Sequence, residues 1–325
     1  MPFLRRGAKA SGLRLYYASD IHGTEVLWRK FLHAPRIYDA PVMVMGGDVT
    51  GKAVIPLVPD EDGVVTAELF GQPERAVTPE ERDALEHRIR SNGMYPHQMT
   101  VEEVRRVADL TVEEREAWFA EVMLVTFQRW LALADERLED PRVRCFVMPG
   151  NDDPPGVDEA IERATRVEGC DGRMVEFDGY TMISLGYSNR TPFDSPRELE
   201  EDELYRRVEA LASQVPDHSR SIFNLHVPPY DSQLDSAPQL DDELRVVATA
   251  GQPRMIPVGS TAVRELIERF QPLLGLHGHV HESRGTTRIG RTLCINPGSD
   301  YHTGRISGAL LFLRQDRVDY QFVVG

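Results

Sequence analysis

Five apolar runs in this chain end at the same kind of stop, a short acidic or histidine-bearing motif. In chain order the motifs are Asp20-Ile21-His22, Gly47-Asp48, Gly150-Asn151-Asp152-Asp153, His226 and Gly278-His279-Val280-His281. The runs before them, at 13–19, 41–45, 144–148, 221–225 and 273–276, have the length of buried strands. A helical segment follows the first of them, at 25–32. Strands that alternate with helices and end in polar loops argue an α/β arrangement, and such sheets gather ligands at their strand exits. In this order the five motifs read as one bimetal site.

Other stretches differ in character. The segments 173–187, 287–296 and 307–324 are β-rich with turn signals between them, and they predict a second, mostly antiparallel sheet packed on the first. The expected fold is a two-sheet β-sandwich flanked by helices, α/β in class, spanning 13–325. Residues 1–12 carry Arg5, Arg6 and Lys9 without the apolar stretch of a signal peptide, and read as a disordered lead-in.

Residues 51–140 interrupt this pattern as a mainly helical acidic insert. A β-like segment at 54–71 opens it. Three helix starts follow, each with a Thr-x-x-Glu capping box, at Thr78-Glu81, Thr100-Glu103 and Thr111-Glu114. The last helix is expected to reach about 139, with Trp118, Val122, Val125, Phe127, Trp130, Leu131 and Leu138 available for burial. The insert holds 20 acidic and 10 basic residues, two-thirds of the chain's net charge of −15. Three readings stay open: a solvated elaboration, a cap over the site, or the contact of a homodimer.

The net charge disfavours nonspecific nucleic-acid binding, which depends on basic patches. Cys145, Cys170 and Cys294 are widely spaced, without a Cys-x-x-Cys, as in a reduced cytoplasmic protein. No apolar run reaches the roughly 18 residues of a membrane span.

The motif residues fit one chemistry. Histidine nitrogen with aspartate oxygen suits Mn, Fe, Zn, Co or Ni, whereas Ca and Mg favour oxygen throughout. Two such ions about 3.5–4 Å apart need a bridging carboxylate, and a bound ion brings the pKa of water down to roughly 7. Hydroxide then replaces a protein nucleophile, and no Gly-x-Ser-x-Gly elbow or cysteine nucleophile competes for the role.

Asp-x-His, Gly-Asp, Gly-Asn, His and Gly-His-x-His in this order resemble the calcineurin-like metallophosphoesterase superfamily, over 13–50, 143–153 and 221–325. Asn296-Pro297-Gly298-Ser299 and His226-Val227-Pro228-Pro229-Tyr230 add to the likeness to small bacterial and archaeal members. The resemblance implies two divalent ions, with Mn favoured. It implies that Asp20, His22 and His281 hold one ion, that Asn151, His226 and His279 hold the other, and that Asp48 bridges them.

One position departs from the pattern. Many members carry a histidine after the motif asparagine, contacting phosphate and protonating the leaving group; here it is Asp152. An ionised carboxylate repels phosphate and donates no proton, so Asp152 counts as a catalytic candidate of open role. His302, beside Tyr301, and Arg284 are candidates for substrate binding, though a surface salt bridge is the plainer reading of Arg284. His277 reads as a supporting residue. The expected function is hydrolysis of a phosphodiester, in a small phosphorylated substrate such as a nucleotide, by a metal-bridging hydroxide. The alternatives are a metal-binding regulatory protein of low turnover and a phosphomonoesterase or protein phosphatase.

Overall fold

The computed structural model describes residues 12–314 and 317–325. The lead-in expected over 1–12 lies, except for Gly12, outside the described residues. The described residues form seven α-helices, α1 (Glu25–Tyr38), α2 (Pro79–Ser91), α3 (Val101–Ala108), α4 (Val112–Arg137), α5 (Val157–Glu162), α6 (Glu201–Ala212) and α7 (Thr261–Phe270), and two six-stranded sheets, one covered by α1, α4 and α5 and the other by α6 and α7.

The first sheet runs Val318–Val324, Ser307–Leu313, Leu13–Ala18, Val42–Met45, Arg144–Val147, Glu168–Gly169. Its last four strands are parallel, and the hairpin of the first two joins antiparallel beside Leu13–Ala18. The second sheet runs Gly285–Ile289, Thr292–Asn296, Leu274–Leu276, Ser221–Leu225, Tyr180–Leu185, Arg173–Phe177. Its four middle strands are parallel, and only the two edges are antiparallel. This corrects two expectations. Residues 307–324 complete the first sheet rather than the second, and the second sheet is mixed. Ser307–Leu313 is almost wholly buried: its edges pair with Leu13–Ala18 and Val318–Val324, and its two faces lie in the helix-side and inter-sheet cores.

The period-2 alternation of strands sorts side chains into three layers. Leu15, Tyr17, Val42, Val44 and Phe146 meet Met182, Ile222, Leu274, Leu276 and Ile295 between the sheets. Tyr16, Met43, Met45, Cys145 and Val147 point the other way, under residues of α1, α4 and α5. Ile183, Leu185, Phe223 and Leu225 pack under α6 and α7.

Between Val42–Met45 and Arg144–Val147 the chain builds a four-stranded sheet, ordered Gln72–Ala76, Val65–Leu69, Ala53–Pro59, Met94–Gln98, with its own core of Leu57, Val65, Leu69, Ala76, Leu85 and Ile89. All three capping boxes form, at Thr78, Thr100 and Thr111. The segment is thus part sheet, part helix. Phe127, Trp130, Leu131 and Leu138 of the last helix region are buried against α1, while Val125 lies on its solvent face, 46% exposed. Trp28 of α1 stacks on Trp130, and its indole N–H donates to the Trp130 carbonyl at 2.8 Å.

Candidate metal centre

The motif residues sit just past the carboxyl ends of parallel strands from both sheets, where the sheets' edges of loops converge. Asp20 follows Leu13–Ala18, Asp48 follows Val42–Met45, Asn151 follows Arg144–Val147, His226 follows Ser221–Leu225, and His279 and His281 follow Leu274–Leu276. The loops are tightly turned. Asp20, His22, Asp48 and His279 all have φ between 39° and 66°, a left-handed backbone that costs non-glycine residues energy and concentrates at functional sites. The motif glycines make room for this. A Cβ on Gly150 would stand 2.1 Å from Asp48 Oδ1, and one on Gly278 would stand 2.3 Å from Asp20 Oδ2.

Two groups of ligand atoms result, Asp20, His22 and His281 in one and Asp48, His226 and His279 in the other. Within the first, His22 Nε2 is 2.9 Å from His281 Nε2, and His281 Nε2 is 3.6 Å from Asp20 Oδ1. In the second, Asn151 Oδ1 lies 2.7 Å from His279 Nδ1 and 3.0 Å from His226 Nε2, so the asparagine oxygen joins the group. Asp48 Oδ2 faces both, 3.4 Å from His226 Nε2 and 3.7 Å from His22 Nε2. Two donors each about 2.1 Å from one ion stand roughly 3–3.4 Å apart, so these spacings fit ligand shells. The donor chemistry agrees, with imidazole and carboxylate suited to borderline divalent ions. His22 Nδ1 is buried with no hydrogen-bond partner among the described residues.

The surroundings hold several of these candidate ligands and their loops. His226 Nδ1 hydrogen-bonds the Gly46 carbonyl at 2.8 Å, which aims Nε2 into the centre. The His279 amide donates to both Asp20 oxygens, at 3.0 and 3.2 Å, and the Ser299 hydroxyl donates to the Asp20 carbonyl at 2.6 Å. Asp153 accepts from the amides of Val49, Thr50 and Gly150 and from the Thr50 hydroxyl, clamping the loop of Asp48 to that of Asn151. His277 is buried, and its Nδ1 reaches the carbonyls of Leu225 and Val227, which holds the His226 loop from behind.

Electrostatics acts on these side chains in both directions: burial disfavours charge on His226 and His281, but the Asp48 and Asp20 carboxylates prevail, raising His226 to about 10 and His281 above its usual value. Burial works against the Asp20 carboxylate, but the hydrogen bond with His281 and the charge of His226 outweigh it and hold the pKa at about 2. Burial takes His22 and His279 down to about 4, leaving neutral rings with free lone pairs.

Asp152 stands at the edge of the centre. Its amide donates to Asp48 Oδ1 at 3.0 Å. Its Oδ1 accepts from Asn151 Nδ2 at 3.0 Å and from the Ser195 hydroxyl at 2.6 Å, and its Oδ2 pairs with the Lys52 ammonium. Burial opposes the charge on Lys52, yet the attraction of Asp152 prevails and raises its pKa. The sequence reading missed Lys52 and Ser195. Lys52 comes four residues after Asp48, a signal too slight to notice; Ser195 carries none. The Tyr301 ring lies 4.8 Å from that of His22. His302 is exposed and packs edge-on against Tyr301, and the Arg284 guanidinium lies over the Phe322 ring at 4.8 Å. Neither has a hydrogen bond to the seven candidate ligands among the described residues.

Two mixed sheets flanked by helices carry, at their strand exits, two groups of side chains placed so that they could hold divalent ions, and solved structures share this fold. A protein of known crystal structure aligns with 95% of this chain and 98% of its own, with a TM-score of 0.57 at 15% identity. The crystal structure of TT1561 of Thermus thermophilus aligns with 96% of this chain and 99% of its own, with a TM-score of 0.50 at 14% identity. The uncharacterized protein MJ1162 of Methanocaldococcus jannaschii is 30% identical over 154 residues, 46% of this chain. The match spans 62% of that relative, less than two thirds of its length. No family profile matches the chain.

Proposed function

We propose that the protein is a dinuclear metal-dependent phosphoester hydrolase acting on a phosphodiester. The observation that carries this reading is the spacing of Asn151 Oδ1, His226 Nε2, His279 Nδ1 and Asp48 Oδ2, with Asp48 also facing the His22 and His281 pair. Asp20, His22 and His281 would hold one ion, Asn151, His226 and His279 the other, and Asp48 both. Such ions supply a hydroxide nucleophile at neutral pH and positive charge for the phosphoryl oxygens. The side chains do the rest. Asn151 contributes a neutral oxygen, so its ion keeps more Lewis acidity. Asp152 holds the Asn151 amide in that orientation by accepting from Nδ2.

The diester preference rests on position 152, where a carboxylate replaces a proton donor and phosphate contact. Mn is the metal we favour on the resemblance, since the N/O ligand set itself suits Fe, Zn, Co and Ni as well. We treat 51–140 as an elaboration within one catalytic domain. The three buried, unpaired thiols suit a reducing cytoplasm. No helix among the described residues is long and apolar enough to cross a membrane.

The test is Mn-dependent hydrolysis of a bis-aryl phosphate beside the matching aryl monoester, with metal content measured in the same preparations. Two ions per chain and diester turnover abolished by Asp48→Ala are expected. Two bound ions without turnover of either ester would replace this reading with that of a metal-binding regulatory protein.

A further inference from the structure

The pairing of Lys52 with Asp152 places two opposite charges at the rim of the metal centre. Their side chains are 57% and 18% exposed, so the pair is reached from solvent. It also touches the interior. Asp152 Oδ2 is 4.0 Å from His22 Nδ1, and with Asp48 these residues bring three ligand atoms within 4.8 Å of one another. The carboxylate is held from two further sides, by Asn151 Nδ2 and by the Ser195 hydroxyl. Ser195 is itself anchored, since its amide and that of Thr191 both donate to the buried Glu198 carboxylate. Asp152 is therefore a fixed negative charge. Lys52, on a flexible stem, is the movable partner.

A phosphoryl group bound at the two ion positions needs cationic contact for each negative oxygen. Lys52 alone would add one positive charge there, and Asp152 alone would remove one. Together they add none. A monoanionic phosphodiester brings one negative charge; a monoester above its second pKa brings two. We propose that the Lys52–Asp152 pair determines specificity: Lys52 contacts a phosphoryl oxygen, and Asp152 cancels the surplus charge that a dianionic monoester would require. This inference rests on the phosphoesterase reading and names the charge class of its substrate.

The experiment compares wild type with Lys52→Met, Asp152→Asn and the double variant. Calorimetric titration uses dimethyl phosphate as the monoanion and inorganic phosphate, above its second pKa, as the dianion. Metal content and the diester-to-monoester ratio of kcat/KM are measured alongside. Asp152→Asn keeps an oxygen for Asn151 and Ser195, and neither position is a proposed ligand, so both ions should stay bound.

One unit of charge a few ångströms away, screened almost as in water at this solvent-reached rim, is worth on the order of tenfold in affinity. Asp152→Asn should tighten phosphate by about that factor while moving dimethyl phosphate by about threefold or less. Lys52→Met should weaken both ligands, phosphate more. The double variant should return to the wild-type ratio at lower affinity. An unchanged ratio in Asp152→Asn, or a double variant that fails to restore it, overturns the inference while leaving the hydrolase reading intact if turnover persists. A wild-type protein that holds two ions but binds neither ligand and turns over neither ester overturns both.

Discussion

Asp153 shows how much of this centre depends on a side chain that faces away from it. The carboxylate is fully buried and accepts four hydrogen bonds from two loops. Burial and the nearby Asp48 push its pKa up to about 6, while the hydrogen bonds from Thr50 and Gly150 pull the other way. Asp153→Ala would strand those donors in a closed interior, where each unsatisfied group costs about 1–3 kcal/mol. Loop relaxation recovers part of that sum. We expect a loss of about 3–5 kcal/mol in urea unfolding, at the severe end for one substitution, together with weaker metal retention. A variant that keeps both its midpoint and its metal would show that the loops hold themselves. The sequence puts Asp153 beside Asn151 but offers no hint of this clamp, because three of its four donors lie more than a hundred residues upstream.

At the scale of elements, legibility follows the range of the interactions that decide each one. Capping boxes are local, and all three are readable from a Thr and a Glu three residues apart. Apolar runs closing on motifs are readable too, since strand and exit loop are contiguous. The hairpin of Ser307–Leu313 and Val318–Val324 is expected in the wrong sheet because nothing within it says which strand it will meet. Lys52 and Ser195 are unreadable for the same reason. α3 offers a clean test of the local case: it has no buried residue, so its cap carries an unusual share of its stability. Thr100→Ala should cost about 1 kcal/mol, confined to that helix. Amide exchange should quicken across 101–108 while the global melting temperature stays put, and a fall in global stability instead would mean that α3 is integral to the core.

For the whole molecule, the candidate ligands bring distant parts of the chain together, with His22 and His281 separated by 259 residues. Anything that binds the folded state alone stabilises it by mass action, about 2.7 kcal/mol for each ion at a hundred times its dissociation constant. Removing the ions with a chelator should lower the melting temperature by several degrees, and resupplied Mn should restore it. Equal melting with and without chelator would mean that the groups of ligand atoms hold nothing under those conditions. The same span bears on how the chain is made. Asp20, His22 and Asp48 leave the ribosome well before His279, whose amide grips Asp20. Until that late segment arrives, the first group of ligands has no second half. Metal loading is thus expected to follow synthesis rather than accompany it, and a truncated nascent chain has no complete centre in which to trap a mismatched ion.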